Sequence, residues 1–209
     1  MKSDNNFPEF ENIINEMTYV YKHDNRPWLI GYSGGKDSSL LVTLVVETVL
    51  RLPEYARTKK IFIVTSDTGV ENPVVKKYMH SSSEKINIFS KKVRANIQAD
   101  IIYPDVTQSF WSLIIGLGYP TPEPPGFRWC TERLKILPMN KYTNSLIEQY
   151  GEVILLLGVR KAESNARNRS ISSREIEGKI LTPHRRMYIT LLRKSKMKEY
   201  GSICLKMTV

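Results

Sequence analysis

Three continuous apolar runs, residues 28–32, 61–65 and 153–158, and a fourth strand candidate at 99–103 alternate with stretches of helical spacing. This alternation constrains the fold more than any other feature. A strand that is apolar at every position is buried on both faces, and such strands belong to parallel sheets covered by helices on either side. The chain is therefore expected to be α/β, with a Rossmann-like, doubly wound and mostly parallel sheet. Helices are expected over 8–23, from 37 to about 52, over 72–93, 108–117 and 132–150, with Pro138 breaking or kinking the last. The run 40–46 is β-branched and taken alone suits a strand. Its length and its place after a glycine turn favour a buried helix. Residues 119–127 hold four prolines and read as a loop. Beyond 169 the pattern fades. The chain is read as a nucleotide-binding domain over 1–169 and a basic segment over 170–209, a truncated or divergent remnant.

The first chemical signal lies where the first strand turns into a helix, at Gly31-Tyr32-Ser33-Gly34-Gly35-Lys36-Asp37-Ser38-Ser39. Adjacent glycines let the backbone approach a charged group closely, and amides at a helix start favour an anion. Ser33 and Ser38 add hydroxyls, and Lys36 adds a positive charge. The set suits a pyrophosphate. Its spacing is neither that of the Walker loop nor that of the dinucleotide fingerprint. The bland alternative is an ordinary strand-to-helix turn with a capping serine.

Three further segments carry candidate chemistry, the first of them at the same expected carboxyl edge of the sheet. Ser66-Asp67-Thr68-Gly69-Val70-Glu71 leaves the second strand. Asp67 suits magnesium or a nucleotide hydroxyl, with backbone contacts from Thr68 and Gly69. The alternative is an Asp-capped turn with a solvated Glu71. In Gly126-Phe127-Arg128-Trp129-Cys130-Thr131-Glu132-Arg133-Leu134-Lys135, clustered cations favour a phosphate or sulfate, and Cys130 among them suits metal ligation or nucleophilic attack. Arg160, Glu163 and Arg167 follow the last apolar run; they read either as an arginine clamp on an anion or as a surface ion pair of little energy.

Ser-Gly-Gly-Lys-Asp-Ser resembles the PP-loop of the adenine nucleotide α-hydrolases, and the Asp67 and Arg160 segments resemble the PAPS reductase branch of that superfamily. The block from Ser109 to Pro120 with Phe127-Arg128-Trp129-Cys130 is similar to DndC-like sulfurtransferases of DNA phosphorothioation. The resemblance implies ATP cleavage to AMP and pyrophosphate. It places Ser33, Gly34, Gly35, Lys36 and Ser38 on the phosphates, Asp37 at the helix cap within reach of the magnesium shell, and Arg128, Arg160 and Arg167 on the anionic substrate, with Glu163 orienting Arg160. Lys36, Asp37 and Cys130 are the expected catalytic residues. The resemblance also implies a 4Fe–4S cluster with Cys130 as one ligand, and as partners a cysteine desulfurase, the other Dnd proteins and DNA. A cubane cluster calls for four thiolates, and this chain has two cysteines, Cys130 and Cys204. A sulfonucleotide reductase of the PAPS type is the alternative reading. Cys204, however, lies in Ser202-Ile203-Cys204-Leu205-Lys206, without the Gly and His that flank the nucleophile of those enzymes.

Composition adds two bounds. The net charge of +10 favours anionic partners such as nucleotides or nucleic acid, and also admits an inactive nucleic-acid-binding module. The polar amino terminus and the shortness of the apolar runs argue for a cytoplasmic protein with no membrane association. His23, His80 and His184 show no metal-ligand spacing and receive no role.

Overall fold

The computed structural model of the chain describes residues 10–122, 129–157 and 187–190. In chain order the elements are α1 (Glu11–His23), β1 (Trp28–Gly31), α2 (Lys36–Leu50), β2 (Ile61–Ser66), α3 (Pro73–Lys92), β3 (Ile97–Ile102), α4 (Trp129–Thr131), α5 (Leu137–Tyr150), β4 (Ile154–Leu157) and β5 (Met187–Thr190). The strands form one sheet in the order β3-β2-β1-β4-β5, parallel throughout. The chain winds outward from β1 through β2 to β3, then crosses to the other side of β1 for β4. The α/β, doubly wound expectation holds. The winding reverses between β1 and β4, and open sheets of this kind bind ligands beyond their strand ends at such a point.

Side chains of successive strand residues point to opposite faces, and each face has its own core. Trp28, Ile30, Ile61, Ile63, Ile154 and Leu156 pack with α1 and α2. Leu29, Phe62, Val64 and Leu155 pack with Leu146 of α5. Residues 40–49 of α2 are all buried. Their β-branched side chains cost a few tenths of a kcal/mol each in helix propensity, whereas burial of one such side chain gains about 1.5–3 kcal/mol. Packing wins, and the strand-like run becomes the central helix. Within it Thr48 Oγ1 donates to the Leu44 carbonyl at 2.8 Å, and Glu47 accepts from Arg51 Nε at 3.1 Å. Arg51 also reaches Glu11 at 2.7 Å and so ties α2 to α1. Leu41, fully buried against the sheet, is a good gauge of this core. Leu41→Ala should lower the unfolding free energy by about 2–5 kcal/mol in urea titration.

Three segments depart from the sequence reading. Pro138 does not break the helix: α4 runs through a π turn over Glu132–Ile136 into α5. Proline has no N–H to give the carbonyl four residues earlier, that of Leu134. Ser66 Oγ of β2 donates to that carbonyl instead, at 3.0 Å. The expected helix over 108–117 forms over 110–117, with π geometry at Ser112–Gly116, after a 3₁₀ turn at Val106–Gln108. And β5 forms in the basic segment where no strand was legible, so the sheet takes in residues beyond 169. No helix among the described residues is long and apolar enough to cross a membrane.

Candidate active site

The loop after β1 begins where Tyr32 N–H extends the ladder to the Val64 carbonyl at 2.8 Å. Gly34 then takes φ +72°, a region that disfavours any side chain. Gly35 is the N-cap of α2, and it offers no side-chain cap to the first turn. Asp37, expected to cap the helix, is its second residue; there its charge complements the helix dipole. Ser38 is the fastener of the bend. Its buried hydroxyl donates to the Gly35 carbonyl at 2.9 Å, accepts from Ser33 N–H at 3.2 Å and lies 3.1 Å from Ser33 Oγ. Lys36 is exposed at the first helical position. A tight bend, an uncapped helix start and an adjacent ammonium make a receptor for an anion.

The second loop is differently employed from what its sequence suggests. Asp67 is completely buried. Its Oδ1 accepts from Gly69 N–H at 2.9 Å. Its Oδ2 is 3.3 Å from Lys76 Nζ and 3.2 Å from His80 Nε2, both one turn apart on α3. Burial alone would raise the pKa of this carboxyl. The bonds from His80, Gly69 and Lys76 outweigh burial and hold it below the usual range. Glu71 is half-buried and tied to the loop: it accepts from Thr68 N–H at 3.0 Å and from Thr68 Oγ1 at 2.6 Å. Asp67 is thus a clamp between the β2 exit and α3. Its donor set does not fit magnesium, because an ammonium and an imidazole already hold the oxygen a cation would need. Among the described residues no group of three His, Cys, Asp or Glu side chains is placed to hold a metal ion.

A crevice of about 440 Å³ opens between these loops at the carboxyl edge of the sheet. Ser33 and Glu71 stand on the loop side, Val64 and Ile102 are strand residues, and Lys135 and Asn140 face them from the π turn and α5. This size suits a nucleotide-sized ligand, with an apolar floor and polar groups at its rim. The π turn matters here. Anchored by Ser66 at Leu134, it sets Lys135 and Ile136 on the crevice wall. Arg133 is engaged elsewhere, donating to Gln108 at 3.1 Å. Cys130 is half-buried on α4.

Ser33, Gly34, Gly35, Lys36, Asp37 and Ser38 come together as the sequence suggested, and Asp67, Thr68 and Gly69 sit beside them in the neighbouring loop. Arg128, Arg160, Glu163, Arg167 and Cys204 lie outside the described residues. Cys130 and Cys204 do not supply the four thiolates of a cubane cluster, so the chain's own cysteines do not fit that group. Sequence reasoning missed Lys76 and His80 as partners of Asp67, although their four-residue spacing on a helix was visible. It also missed Tyr78 beside Gly34 and the anchoring role of Ser66.

Fold and site together define an α/β protein with a doubly wound parallel sheet, a glycine bend and an exposed Lys36 where β1 turns into α2, and a crevice at the sheet's carboxyl edge. Residues 27–178 match the family described as phosphoadenosine phosphosulfate reductase domain, and the chain belongs to that family. An uncharacterised protein of Methanocaldococcus jannaschii is 29% identical over 153 residues, which are 73% of this chain. The chain spans about a quarter, 27%, of that curated relative's length. Among solved structures, the U34-tRNA thiolase NcsA of Methanococcus maripaludis with its 4Fe–4S cluster superposes with a TM-score of 0.53 at 16% identity, covering 96% of this chain and 63% of that one. The PAPS reductase of Candida auris in complex with phosphate gives 0.51 at 9% identity, covering 94% and 86%. Both are similar in fold.

Proposed function

We propose that the chain cleaves ATP between the α- and β-phosphates to activate an acceptor for sulfur transfer, and that the acceptor is the DNA backbone, as in DndC-like sulfurtransferases. The observation that carries this reading is the uncapped start of α2 behind the Gly34 bend, with Lys36 at its first position and a nucleotide-sized crevice that the same loop borders through Ser33. In this reading Ser33, Gly34, Gly35 and Ser38 hold the β- and γ-phosphates. Lys135, from the opposite wall, answers charge nearer the α-phosphate. An oxygen of a backbone phosphate attacks the α-phosphorus, the α–β bond breaks, and pyrophosphate leaves with the bonding electrons. Lys36 neutralises the charge that builds on the leaving group. A thiol co-reactant releases hydrosulfide from the persulfide of a cysteine desulfurase partner, leaving a disulfide; the hydrosulfide attacks the DNA phosphorus, the P–O bond to AMP breaks, and AMP leaves with the bonding electrons.

ATP–pyrophosphate exchange, run with and without DNA and a sulfur donor, tests the proposal. Exchange stimulated by DNA, with AMP and phosphorothioate formed one to one, is expected. Salt-sensitive DNA retention without any ATP turnover would instead mark an inactive binding module. The family match favours one other reading, sulfonucleotide reduction. Sulfite release from phosphoadenosine phosphosulfate with no ATP exchange would select it.

A further inference from the structure

We propose that Tyr78 is a positioning residue of the phosphate loop: its ring is the wall against which the Gly34 bend is formed. The inference rests on the reading of that loop as a phosphate receptor. A Cβ built on Gly34 would lie 3.2 Å from Cε1 of Tyr78 and 3.5 Å from its Cδ1. Gly34 is therefore favoured by its positive φ, and a Cβ there would also crowd the ring, which would have to give by a few tenths of an ångström. Nothing comparable confines Gly69, whose φ is also positive but which has open space where a Cβ would stand.

Tyr78 is not a core residue. It is 48% exposed, on a half of α3 that also exposes Val74 and Val75. A side chain this open contributes little to global stability. Its placement makes sense from the loop side. Val75 and Met79, its neighbours on α3, line the crevice. Its hydroxyl lies 3.4 Å from that of Tyr32, the residue that opens the loop. Tyr32 is buried, and its backbone N–H is held by the Val64 carbonyl of β2. The two tyrosines thus link the loop entry to α3. Tyr32 holds the entry and the Tyr78 ring holds the bend. Loop amides bind an anion well only when they already converge on it, because ordering them at the moment of binding subtracts from affinity. A wall that fixes the bend keeps them convergent.

The test uses the full chain with inorganic pyrophosphate as the probe, binding read by calorimetry and stability by thermal unfolding. Tyr78→Ala is expected to weaken pyrophosphate binding about tenfold while moving Tm by less than about 2 °C. Tyr78→Phe, which keeps the ring, is expected to bind like the wild type. Gly34→Ala should cost more alone than in the Tyr78→Ala background, since the ring clash is gone there and only backbone strain persists. Equal binding by the wild type and Tyr78→Ala overturns the inference. So does a loss for Tyr78→Phe as large as for alanine, or a Tyr78→Ala loss that merely tracks a falling Tm. A wild type that binds neither pyrophosphate nor ATP would instead strike at the phosphate-receptor reading itself.

Discussion

Lys36→Ala is expected to slow pyrophosphate release from ATP by about two to three orders of magnitude, with the thermal midpoint unchanged. The size follows from where the charge develops. In the ground state the negative charge of ATP is spread over its phosphates, and the loop amides hold it whether or not Lys36 is present. As the α–β bond breaks, one further charge accumulates on the departing pyrophosphate, beside the first residue of α2. A fixed ammonium there answers charge present only in the transition state, so kcat should fall far more than KM rises. Stability should not change, because Lys36 is exposed and its position at the helix start tolerates alanine. Steady-state pyrophosphate release, with unfolding followed in parallel, checks both halves. Release at the wild-type rate would remove Lys36 from the mechanism, and release lost together with the fold would show a structural role instead.

The loop was legible in the sequence because its requirements are local. A double glycine after an apolar run and before a helical one needs no tertiary knowledge to interpret, and the bend and the start of α2 lie where they were expected, with Gly35 rather than Asp37 at the cap. The sheet was legible for the same reason: strands 28–31, 61–66 and 154–157 are apolar on both faces. What escaped depended on distant partners. Asp67 looked like a metal ligand because the sequence does not reveal that Lys76 and His80, a helix away, close over it. Pro138 looked like a helix breaker because the acceptor it abandons, Leu134, is satisfied by Ser66, 68 residues earlier in the chain. β5 carries only four residues, Met187–Thr190, in a basic stretch with no alternation, and pairing with β4 rather than its own pattern makes it a strand. The β-branched run 40–46 was resolved correctly only by its context, since its propensity pointed to a strand.

Asp67→Ala should be the most damaging single change near the site for stability, at about 2–4 kcal/mol, and Asp67→Asn milder at about 1–2 kcal/mol. Removing one member of a buried, bonded charge pair costs about 3–5 kcal/mol when both partners are enclosed. Lys76 and His80 are each about half exposed, at 50% and 41%, so water recovers part of that loss and the expectation is scaled down. Asparagine retains an oxygen for Gly69 N–H and loses only the charge facing α3, whereas alanine loses both and leaves a hole at the end of β2. The pH dependence has a definite sign. The folded-state pKa of Asp67 lies below its unfolded value. Its stabilisation is therefore complete above about pH 4, the ordinary range of an aspartate, and is lost as the pH falls through the depressed value. The stability gap between wild type and Asp67→Asn, measured by urea titration, should shrink in acid as the pH falls below about 4 and through the depressed value. A gap that did not shrink there would mean that the charge of Asp67 contributes nothing to the clamp. Because the clamp also orients the loop bearing Glu71 on the crevice wall, both variants should raise KM for ATP at temperatures where they remain folded.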